Sequence, residues 1–224
     1  MNSVEPSRSF AIVPAAGRSV RMGAPKLLLP VAGRPLIDHV LAAWSASRAT
    51  RIVVVVRADD HALATRCRQF PVELLRPQTT PEEMCDSVRL ALDHLTSTAA
   101  PADDDAVLLA PADLPGLSAA ILDRMLGEYE SSRPHAVVPV VTGRRGHPLV
   151  LSWSAAQGVY RLAPHEGVNA LVARLPLREI AWPLPDEVCD MDTRDDYARL
   201  LRGPDETAPG AAGFQLNVPP PALR

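Results

Sequence analysis

The sequence has 224 residues, of which 47% are hydrophobic, and its 23 basic and 26 acidic side chains give a net charge of −3. This length and apolar content suit one large domain with a substantial core. The scattered bases exclude a broad basic surface for a nucleic-acid duplex, and we expect no membrane span because no apolar run approaches roughly 18 residues.

The cysteines and the first residues bear on the cellular compartment. Cys67, Cys85 and Cys189 are odd in number, widely spaced and without a C-x-x-C pair, which argues against a disulfide framework or a zinc knuckle. The opening "MNSVEPSR" lacks the apolar segment of a secretion signal. We therefore expect a cytoplasmic protein.

Apolar strands alternate with helical patterns in the first half of the chain. "FAIVP" (10–14) is a short apolar run that ends at Pro-Ala-Ala-Gly, which predicts a buried strand entering a loop. A helix is predicted from Pro35, which suits the first helical position. The elements predicted next are a strand over 51–56, a helix near 59–68, a strand over 72–75 and a helix that begins near Ser87 or slightly earlier.

The same alternation continues in the second half. An apolar strand over 106–115 carries Asp113 at its end, and Ser118 is placed to cap the helix that follows. "TRDD" (193–196) resembles a capping box at the start of a last helix. The elements predicted between them are strands over 136–141 and 148–152, a helix near 153–174 and a strand over 177–182.

This order of elements predicts an α/β fold: a single three-layer α/β/α, Rossmann-like domain over residues 9–202, with a mostly parallel mixed sheet. Residues 203–224 are rich in Pro, Gly and Ala without a period, which predicts a mobile tail. Ligands in such folds bind beyond the carboxyl ends of the strands. The loop after the first strand and Asp113 both fall there, so we expect a site at that edge of the sheet.

The loop after the first strand has the chemistry of a phosphate site. In "VPAAGRSVRMGAPK" (13–26), Gly17 and Gly23 permit positive φ and close approach of N–H groups to an anion, while Arg18, Arg21 and Lys26 supply positive charge. This describes a triphosphate cradle. Neither G-x-x-x-x-G-K-[ST] nor G-x-G-x-x-G is present, so the ATPase loop and the dinucleotide fingerprint are excluded. A glycine-rich turn with solvated bases is the alternative.

The stretch "PAAGRSVRMGAPKLLLPVAGRPLI" (14–37) resembles the signature of MobA-like nucleotidyltransferases, and "APKLLLP" is most similar to the molybdenum cofactor cytidylyltransferase branch. Three later segments agree in order: "LLAPADLPGLS" (108–118), "GRRGHPLVLS" (143–152) and "CDMDTRDDY" (189–197). The resemblance covers residues 10 to about 202. It implies a fold like that of the nucleotide-diphospho-sugar transferases.

The resemblance also implies roles for individual residues. Arg21 and Lys26 would bind the phosphates of an NTP, and Asp113 would hold Mg²⁺. Attack on the α-phosphorus requires that charge on the triphosphate and on departing pyrophosphate be neutralised, whereas an ionised acceptor phosphate needs no strong general base. The residues expected to bind the nucleotide are Ala15, Ala16, Gly17, Arg18, Ser19, Gly23 and Ser87.

Two acidic residues compete for the second place at the metal. If "VCDMD" is extended, Asp190 and Asp192 share one face, where either carboxylate can complete the metal shell. We prefer Asp192. A solvated strand end leading into the Thr193 cap is the alternative.

Contacts to the second substrate rest on two candidates. His147, between Gly146 and Pro148, is a substrate contact by analogy with the family, or else a structural histidine. Asn169 lies in "EGVNALV" (166–172), where the family carries Gly-Ala-Arg, and is either a polar contact or a helix-surface residue. Arg144 and Arg145 are either a receiving site for an acidic substrate or an exposed loop.

The base and the acceptor are less firmly indicated. The family's Asn, Gly and Ser segment reads here "PQTTPEEMCDSVRLAL" (77–92), in which only Ser87 matches clearly. The leading hypothesis is Mg²⁺-dependent transfer of CMP from CTP to a phosphorylated small molecule, molybdopterin by resemblance, with a molybdoenzyme or its chaperone as a candidate partner. The alternatives are a sugar- or polyol-phosphate acceptor and a non-catalytic nucleotide-binding or regulatory domain. A dehydrogenase ranks third among the hypotheses, since this sequence lacks the dinucleotide fingerprint G-x-G-x-x-G.

Overall fold

Strands and helices alternate along the described chain, residues 8–182 and 190–202 of this computed structural model. The strands are β1 Ser9–Pro14, β2 Pro30–Val31, β3 Arg34–Pro35, β4 Arg51–Val55, β5 Glu73–Leu75, β6 Ala106–Leu109, β7 Ala136–Val141, β8 Arg144–Arg145, β9 Leu149–Ser152 and β10 Leu177–Ala181. The helices are α1 Leu36–Ala46, α2 His61–Cys67, α3 Met84–Ala99, α4 Ala119–Ser132, α5 Trp153–Ala156, α6 Val168–Val172 and α7 Arg194–Arg202. Short 3-10 helices cover Val20–Met22, Lys26–Leu28 and Gln157–Arg161.

The central sheet has the strand order β10-β7-β9-β6-β1-β4-β5, with β8 paired to β7, while β2 and β3 form a separate hairpin. β1 is parallel to β4 and β6, β4 is parallel to β5, and β7 is parallel to β10. β9 lies antiparallel between β6 and β7. The predicted mostly parallel mixed sheet is confirmed.

Both faces of this sheet are covered by helices. Every residue of β1 is buried, and its side chains alternate between two cores. Ala11 and Val13 pack with residues of α1 and α4, whereas Phe10 and Ile12 pack with residues of α3 and α6. A strand buried on both sides is a continuous apolar run, as the sequence of β1 shows. The predicted three-layer arrangement follows from this division.

Several predicted boundaries move by a few residues. Pro35 precedes α1 and has extended backbone, so Leu36 is the first helical residue. β6 ends at Leu109, and Asp113 lies in the loop beyond it rather than in the strand. The prolines at 111 and 115 explain the early end, since proline cannot donate to a sheet ladder.

The helix predicted near 153–174 is broken into α5, a 3-10 helix and α6. Gly158 lies against Leu171, whose side chain would be only 2.5 Å from an added Cβ. The turn between these short helices therefore folds back on itself. The predicted caps are confirmed: the hydroxyl of Ser118 accepts from the Ile121 N–H at 3.3 Å, and Asp196 pairs with Thr193 at the start of α7.

Parallel strands bring the loops that follow them to one edge of the sheet. The loops after β1, β4, β5 and β6 meet there. Because β9 is antiparallel and Leu149 pairs with Leu109, the residues just before β9 arrive at the same edge. His147 thus comes to the edge from the opposite chain direction.

Three sequence expectations lie outside the described residues: the tail over 203–224, Cys189 and the first part of "VCDMD". Cys67 and Cys85 are buried free thiols. None of the helices in the described ranges combines the length and apolar character needed to cross a bilayer.

Candidate functional site

The loop after β1 begins with a fixed backbone and then opens to solvent. The N–H of Ala15 donates to Val55 O at 2.9 Å, which joins the loop to the end of β4. Gly23 has φ 65°, as expected, but the left-handed residue in the first half of the loop is Ser19, with φ 52°, and not Gly17. An added Cβ on Gly17 would meet no protein atom within 4 Å. Gly17 therefore keeps space free beside the backbone.

A cleft of about 670 Å³ lies beside this loop. The cleft is lined by Ala15 to Arg18 of the glycine loop and by residues 80–84 with Ser87. Lys26 and Asp113 also line it, and their side chains, 14% and 12% exposed, lie at its base. Seven of the predicted site residues therefore line one cleft. Ser19 and Gly23 line an adjoining hollow of about 300 Å³, which shares Gly17 and Arg18 with the cleft.

Lys26 is the centre of a polar network at the base of the cleft. Its Nζ contacts Asp113 Oδ2, and it lies 3.1 Å from Asp192 Oδ1 and 3.2 Å from Met191 O. The chain uses arginine for its other basic residues, and Lys26 is the only lysine in the sequence. A compact ammonium approaches two carboxylates and a carbonyl together, which a planar guanidinium does less well.

The charge of Lys26 is secured by these neighbours. Burial by itself lowers the pKa of its ammonium group, but the charges and hydrogen bonds of Asp113 and Asp192 outweigh burial and raise that pKa above its ordinary value. Lys26 therefore stays cationic throughout the physiological pH range.

Asp113 is held by the backbone on both sides. The Ala112 N–H donates to Pro14 O at 3.1 Å, and the Met191 N–H donates to Asp113 O at 2.9 Å. Its side chain is only 12% exposed. While Oδ2 meets Lys26, Oδ1 is buried without a hydrogen-bond partner among the described residues. A buried carboxylate oxygen of this kind is an open ligand position.

The segment before α7 closes the far side of the network. Arg21, 73% exposed, has its guanidinium 3.0 Å from Asp192 Oδ2. Arg194 Nε donates to Met22 O at 3.3 Å, and the Tyr197 hydroxyl donates to Pro30 O at 2.7 Å. Helix α7 is thus attached to the loop after β1 and to strand β2.

Asp190 lies close enough to Asp113, Asp192 and Lys26 for their charges to act on its carboxyl group. Much of the residue is open to solvent, yet the protein crowds its carboxyl. This desolvation, followed by the charges of Asp113 and Asp192, raises the pKa of Asp190 to about 6 against the pull of Lys26. Asp192, by contrast, touches both Lys26 and Arg21 directly.

The donor set fits a divalent cation that prefers oxygen. Within the described ranges, no three His, Cys, Asp or Glu side chains form a ready cluster for a metal ion. Mg²⁺, however, usually takes one or two carboxylates and completes its shell with substrate phosphates and water. Asp113, with its unpartnered Oδ1, and Asp192 supply such a pair.

His147 stands close to this network. The bond between His147 and Pro148 is cis, and the imidazole Nδ1 is buried without a partner among the described residues. Burial lowers the pKa of the imidazole, opposed by the Leu109 backbone and the charge of Asp113. The ring therefore has one nitrogen without a partner among the described residues, and His147 lies near Asp113 without lining the cleft.

Comparison with known proteins identifies the relatives of this chain. The MobA-like NTP transferase domain matches residues 11–180. The chain belongs to this family. The membership confirms the resemblance drawn from the loop signature. The mixed sheet with helices on both faces agrees with the fold of two solved structures, 4-diphosphocytidyl-2C-methyl-D-erythritol synthase and CMP:2-keto-3-deoxy-manno-octonic acid synthetase.

The MobA-like chain is similar both to curated proteins and to solved structures. It is 35% identical over 191 residues to 2-C-methyl-D-erythritol 4-phosphate cytidylyltransferase of Streptomyces coelicolor, over 80% of this chain and 64% of that protein. The chain spans 53% and 59% of two further curated relatives with the same name, from Ralstonia nicotianae and Dechloromonas aromatica. Its match with Rv0371c from Mycobacterium tuberculosis has 26% identity and a TM-score of 0.75, over 88% of this chain and 98% of that one.

Rv0371c has also been solved in complex with manganese. That structure matches 88% of this chain and 100% of its own, with 24% identity and a TM-score of 0.69. At this identity the comparison bears on the fold alone.

Several expected members of the MobA-like site are absent from the cleft lining. Arg21 and Asp192 belong to the adjoining Lys26 network, and His147 lies near Asp113, whereas the others lie elsewhere. Asn169 is an exposed residue of α6 and is absent from the cleft lining. Arg145 donates to Glu179 at 2.9 Å, and Arg144 is an exposed residue of β8. The exposed-loop interpretation of the two arginines therefore fits their surroundings better than a receiving site does.

The structure adds residues that the sequence interpretation missed. Arg57 follows β4 and donates to Gly17 O at 2.9 Å. Glu82 and Glu83 line the same cleft as the glycine loop. Their positions in the sequence could have indicated them, because Arg57 follows β4 and the two glutamates follow β5, at the edge of the sheet where ligands bind.

Proposed function

We propose that the protein is a divalent-metal-dependent nucleotidyltransferase that moves CMP from CTP to a phosphorylated small molecule and releases pyrophosphate. The observation that carries the proposal is the contact of Lys26 with Asp113 and Asp192 at the base of a cleft walled by the glycine loop. A polyphosphate needs both cations and metal-binding carboxylates, and a simple turn needs neither.

The chain's own residues divide the work of binding. The backbone from Ala15 to Ser19 receives the phosphates, while Lys26 and Arg21 neutralise them. Ser87 lines the same cleft with Glu82 and Glu83, and we assign the reading of the base to these residues. Carboxylates accept hydrogen bonds from an exocyclic amino group, which cytosine has and uracil lacks. The two glutamates therefore support CTP over UTP.

The reaction balances without a strong base. An oxygen of the acceptor phosphate forms a bond to the α-phosphorus of CTP, the bond from that phosphorus to the bridging oxygen breaks, and its electron pair leaves with pyrophosphate. Lys26 and Arg21 hold the charge that gathers on the leaving group. A divalent cation on Asp113 and Asp192, Mg²⁺ by the family resemblance, would supply further charge neutralisation.

The acceptor is a phosphorylated small molecule, with two candidates. The similarity of "GRRGHPLVLS" (143–152) to the cofactor cytidylyltransferases supports molybdopterin, with a molybdoenzyme or its chaperone as the destination of the product. The curated relatives named 2-C-methyl-D-erythritol 4-phosphate cytidylyltransferase support a polyol phosphate. His147, with its unused Nδ1, is the proposed contact for either.

Pyrophosphate release tests the reaction. Each of the four NTPs is supplied with Mg²⁺ or Mn²⁺ and with molybdopterin or 2-C-methyl-D-erythritol 4-phosphate. We expect release with CTP and one acceptor, and a loss of at least about 100-fold in Asp113→Ala, the scale of losing one electrostatic group. Asp123→Ala is the matched control, because Asp123 pairs with Arg48 outside the cleft.

Equal release by the wild type and Asp113→Ala would refute the catalytic assignment. CTP binding with no product from either acceptor would instead favour the non-catalytic nucleotide-binding alternative, which the departures in segment 77–92 motivate.

A further inference from the structure

We propose that Arg57 is a positioning residue that holds the glycine loop in its phosphate-binding form. The inference rests on the proposed function, because it names how the nucleotide site is kept open. Arg57 does not touch substrate in this proposal; it acts through the loop backbone.

The sheet brings Arg57 to the loop. β1 and β4 are parallel neighbours, with Pro14 paired to Val55, so the chain leaves both strands at the same level. The Val55 carbonyl accepts from Ala15, and two residues later Arg57 reaches back over the loop. Its side chain is 14% exposed.

The guanidinium is held from two sides. NH1 donates to Gly17 O at 2.9 Å, with a longer contact of 3.5 Å to Ala16 O. On the other side, Nε donates to Asp59 at 2.9 Å and NH2 donates to Asp60 at 3.3 Å. Hydrogen bonds from a charged donor are the stronger kind, and several at once fix the side chain in one place.

This anchor is tied to a helix. The Asp60 carboxylate also accepts from the Leu63 N–H at 3.0 Å and so caps α2. Arg57 therefore connects the loop to the frame of α2 and β4. A lysine has one nitrogen and cannot reach the loop carbonyls and both aspartates in the same geometry.

The direction of the loop's N–H groups follows from peptide geometry. In a planar trans peptide, the N–H points away from the carbonyl oxygen of the same unit. Because Arg57 draws the Ala16 and Gly17 carbonyls towards itself, the N–H groups of Gly17 and Arg18 point the opposite way. Neither donates to an acceptor in the part of the chain that the structure describes. Two unused donors beside an open glycine are what a phosphate oxygen requires.

The same contacts distinguish Arg57 from its neighbour Arg18. Each of the three guanidinium nitrogens of Arg57 already has a partner in the protein. Arg18, which is close to Asp59 at 3.7 Å and 60% exposed, remains much freer. The two arginines therefore have different tasks on one loop.

The first measurement needs no ligand. Limited trypsin digestion followed by mass spectrometry reports cleavage after Arg18 and Arg21, because a protease needs the loop to open. We expect cleavage at these two sites to be about 10-fold faster in Arg57→Ala and Arg57→Gln than in the wild type. In Arg57→Lys the cleavage should be nearly as fast as in those two variants, because a lysine restores little of the contact. Arg51→Ala is the matched control, because Arg51 begins the same strand at its other end and binds Glu73.

The second measurement is CTP binding by calorimetry with Mg²⁺ and no acceptor. Loss of the loop contact should weaken binding by about 10- to 100-fold, the effect of one or two charged hydrogen bonds. The KM for CTP should rise while the KM for the acceptor stays unchanged. Arg51→Ala should bind CTP as the wild type does.

Wild-type cleavage rates and CTP affinity in a folded Arg57→Gln or Arg57→Lys protein would overturn the inference, as would a wild type that binds no nucleotide. CTP binding that depends on Arg57 without any turnover would refute the proposed reaction and leave this inference standing.

Discussion

At the residue scale, the candidate site is assembled from side chains that lie far apart in the chain. Lys26 and Asp113 are 87 positions apart in the chain and meet in the structure. The loop signature and the segment "LLAPADLPGLS" selected both residues, and their roles in phosphate and metal binding stay predictions. Gly17 permits positive φ but does not adopt it, and Ser19 has the left-handed backbone in this part of the loop.

Arg57 shows what residue patterns leave out. Its sequence context, an arginine after a run of valines, is also that of a solvated strand end. Only the pairing of β1 with β4 places its guanidinium over the loop carbonyls, and that pairing is a property of the sheet.

Lys26 and a divalent cation compete for the same carboxylates. Asp113 and Asp192 both contact the Lys26 ammonium, so a metal ion must displace it or share its ligands. We predict that Lys26→Met raises the affinity for Mn²⁺ in the absence of nucleotide, because a mostly buried Asp113 would be left without a counter-charge.

Free Mn²⁺ measured by electron paramagnetic resonance checks this prediction. Arg21→Met is the control, since Arg21 is exposed and meets Asp192 alone, and it should change the affinity less. A Lys26→Met protein that binds Mn²⁺ no better than the wild type would contradict the competition.

At the scale of elements, capping signals and apolar runs were reliable because they depend on local contacts. Ser118 and Thr193 cap the helices that the sequence assigned to them. The prediction of one continuous helix near 153–174 was wrong. The chain breaks there because Gly158 packs closely against Leu171, a tertiary contact that no local pattern reveals.

The edge strand β5 is fastened to its neighbours through one carboxylate. Glu73 accepts from Arg51 Nε at 2.5 Å on β4 and lies 2.6 Å from His94 Nε2 on α3. The Arg51 hydrogen bond, opposed by burial and helped by His94, lowers the pKa of Glu73 below its ordinary value. The carboxylate therefore stabilises the fold above its unfolded pKa of about 4.3, and this stabilisation is lost as pH falls through the lower folded pKa.

Glu73→Gln should accordingly lower the free energy of unfolding at pH 7 by roughly 0.5–1 kcal/mol, after allowance for solvent screening of a partly exposed pair. At a pH well below the folded pKa the difference should shrink towards zero. Urea unfolding of both proteins at the two pH values provides the measurement. A loss of equal size at both would show that packing, and not charge, is responsible.

At the scale of the whole molecule, the alternation of elements predicted the layers and the edge that carries the site. It did not predict that β9 runs antiparallel between β6 and β7, since strand order depends on which long-range pairings win. That arrangement brings His147 to the edge where Asp113 lies, and it comes from topology alone.

Two truncations test the extent of the domain. A chain that ends at Arg202 should keep its melting temperature and CTP affinity, because the domain was predicted to end there. A chain that ends at residue 189 should lose CTP binding, since it lacks the Met191 and Asp192 contacts to Lys26 and the fastening of α7 through Tyr197.

Calorimetry and thermal unfolding compare the two with the full chain. Equal behaviour of both truncations would show that α7 is dispensable, and failure of the longer one would move the boundary of the domain beyond Arg202.

The single lysine has a practical consequence. Succinimidyl dyes, imidoester cross-linkers and amine-coupled sensor chips will find one side-chain target in this protein, and it lies at the base of the cleft. These reagents attack the neutral amine, whereas Asp113 and Asp192 raise the pKa of Lys26 and keep its amine protonated. We therefore expect the side chain of Lys26 to react slowly at neutral pH, and any labelling beyond the terminal amine to report on that cleft.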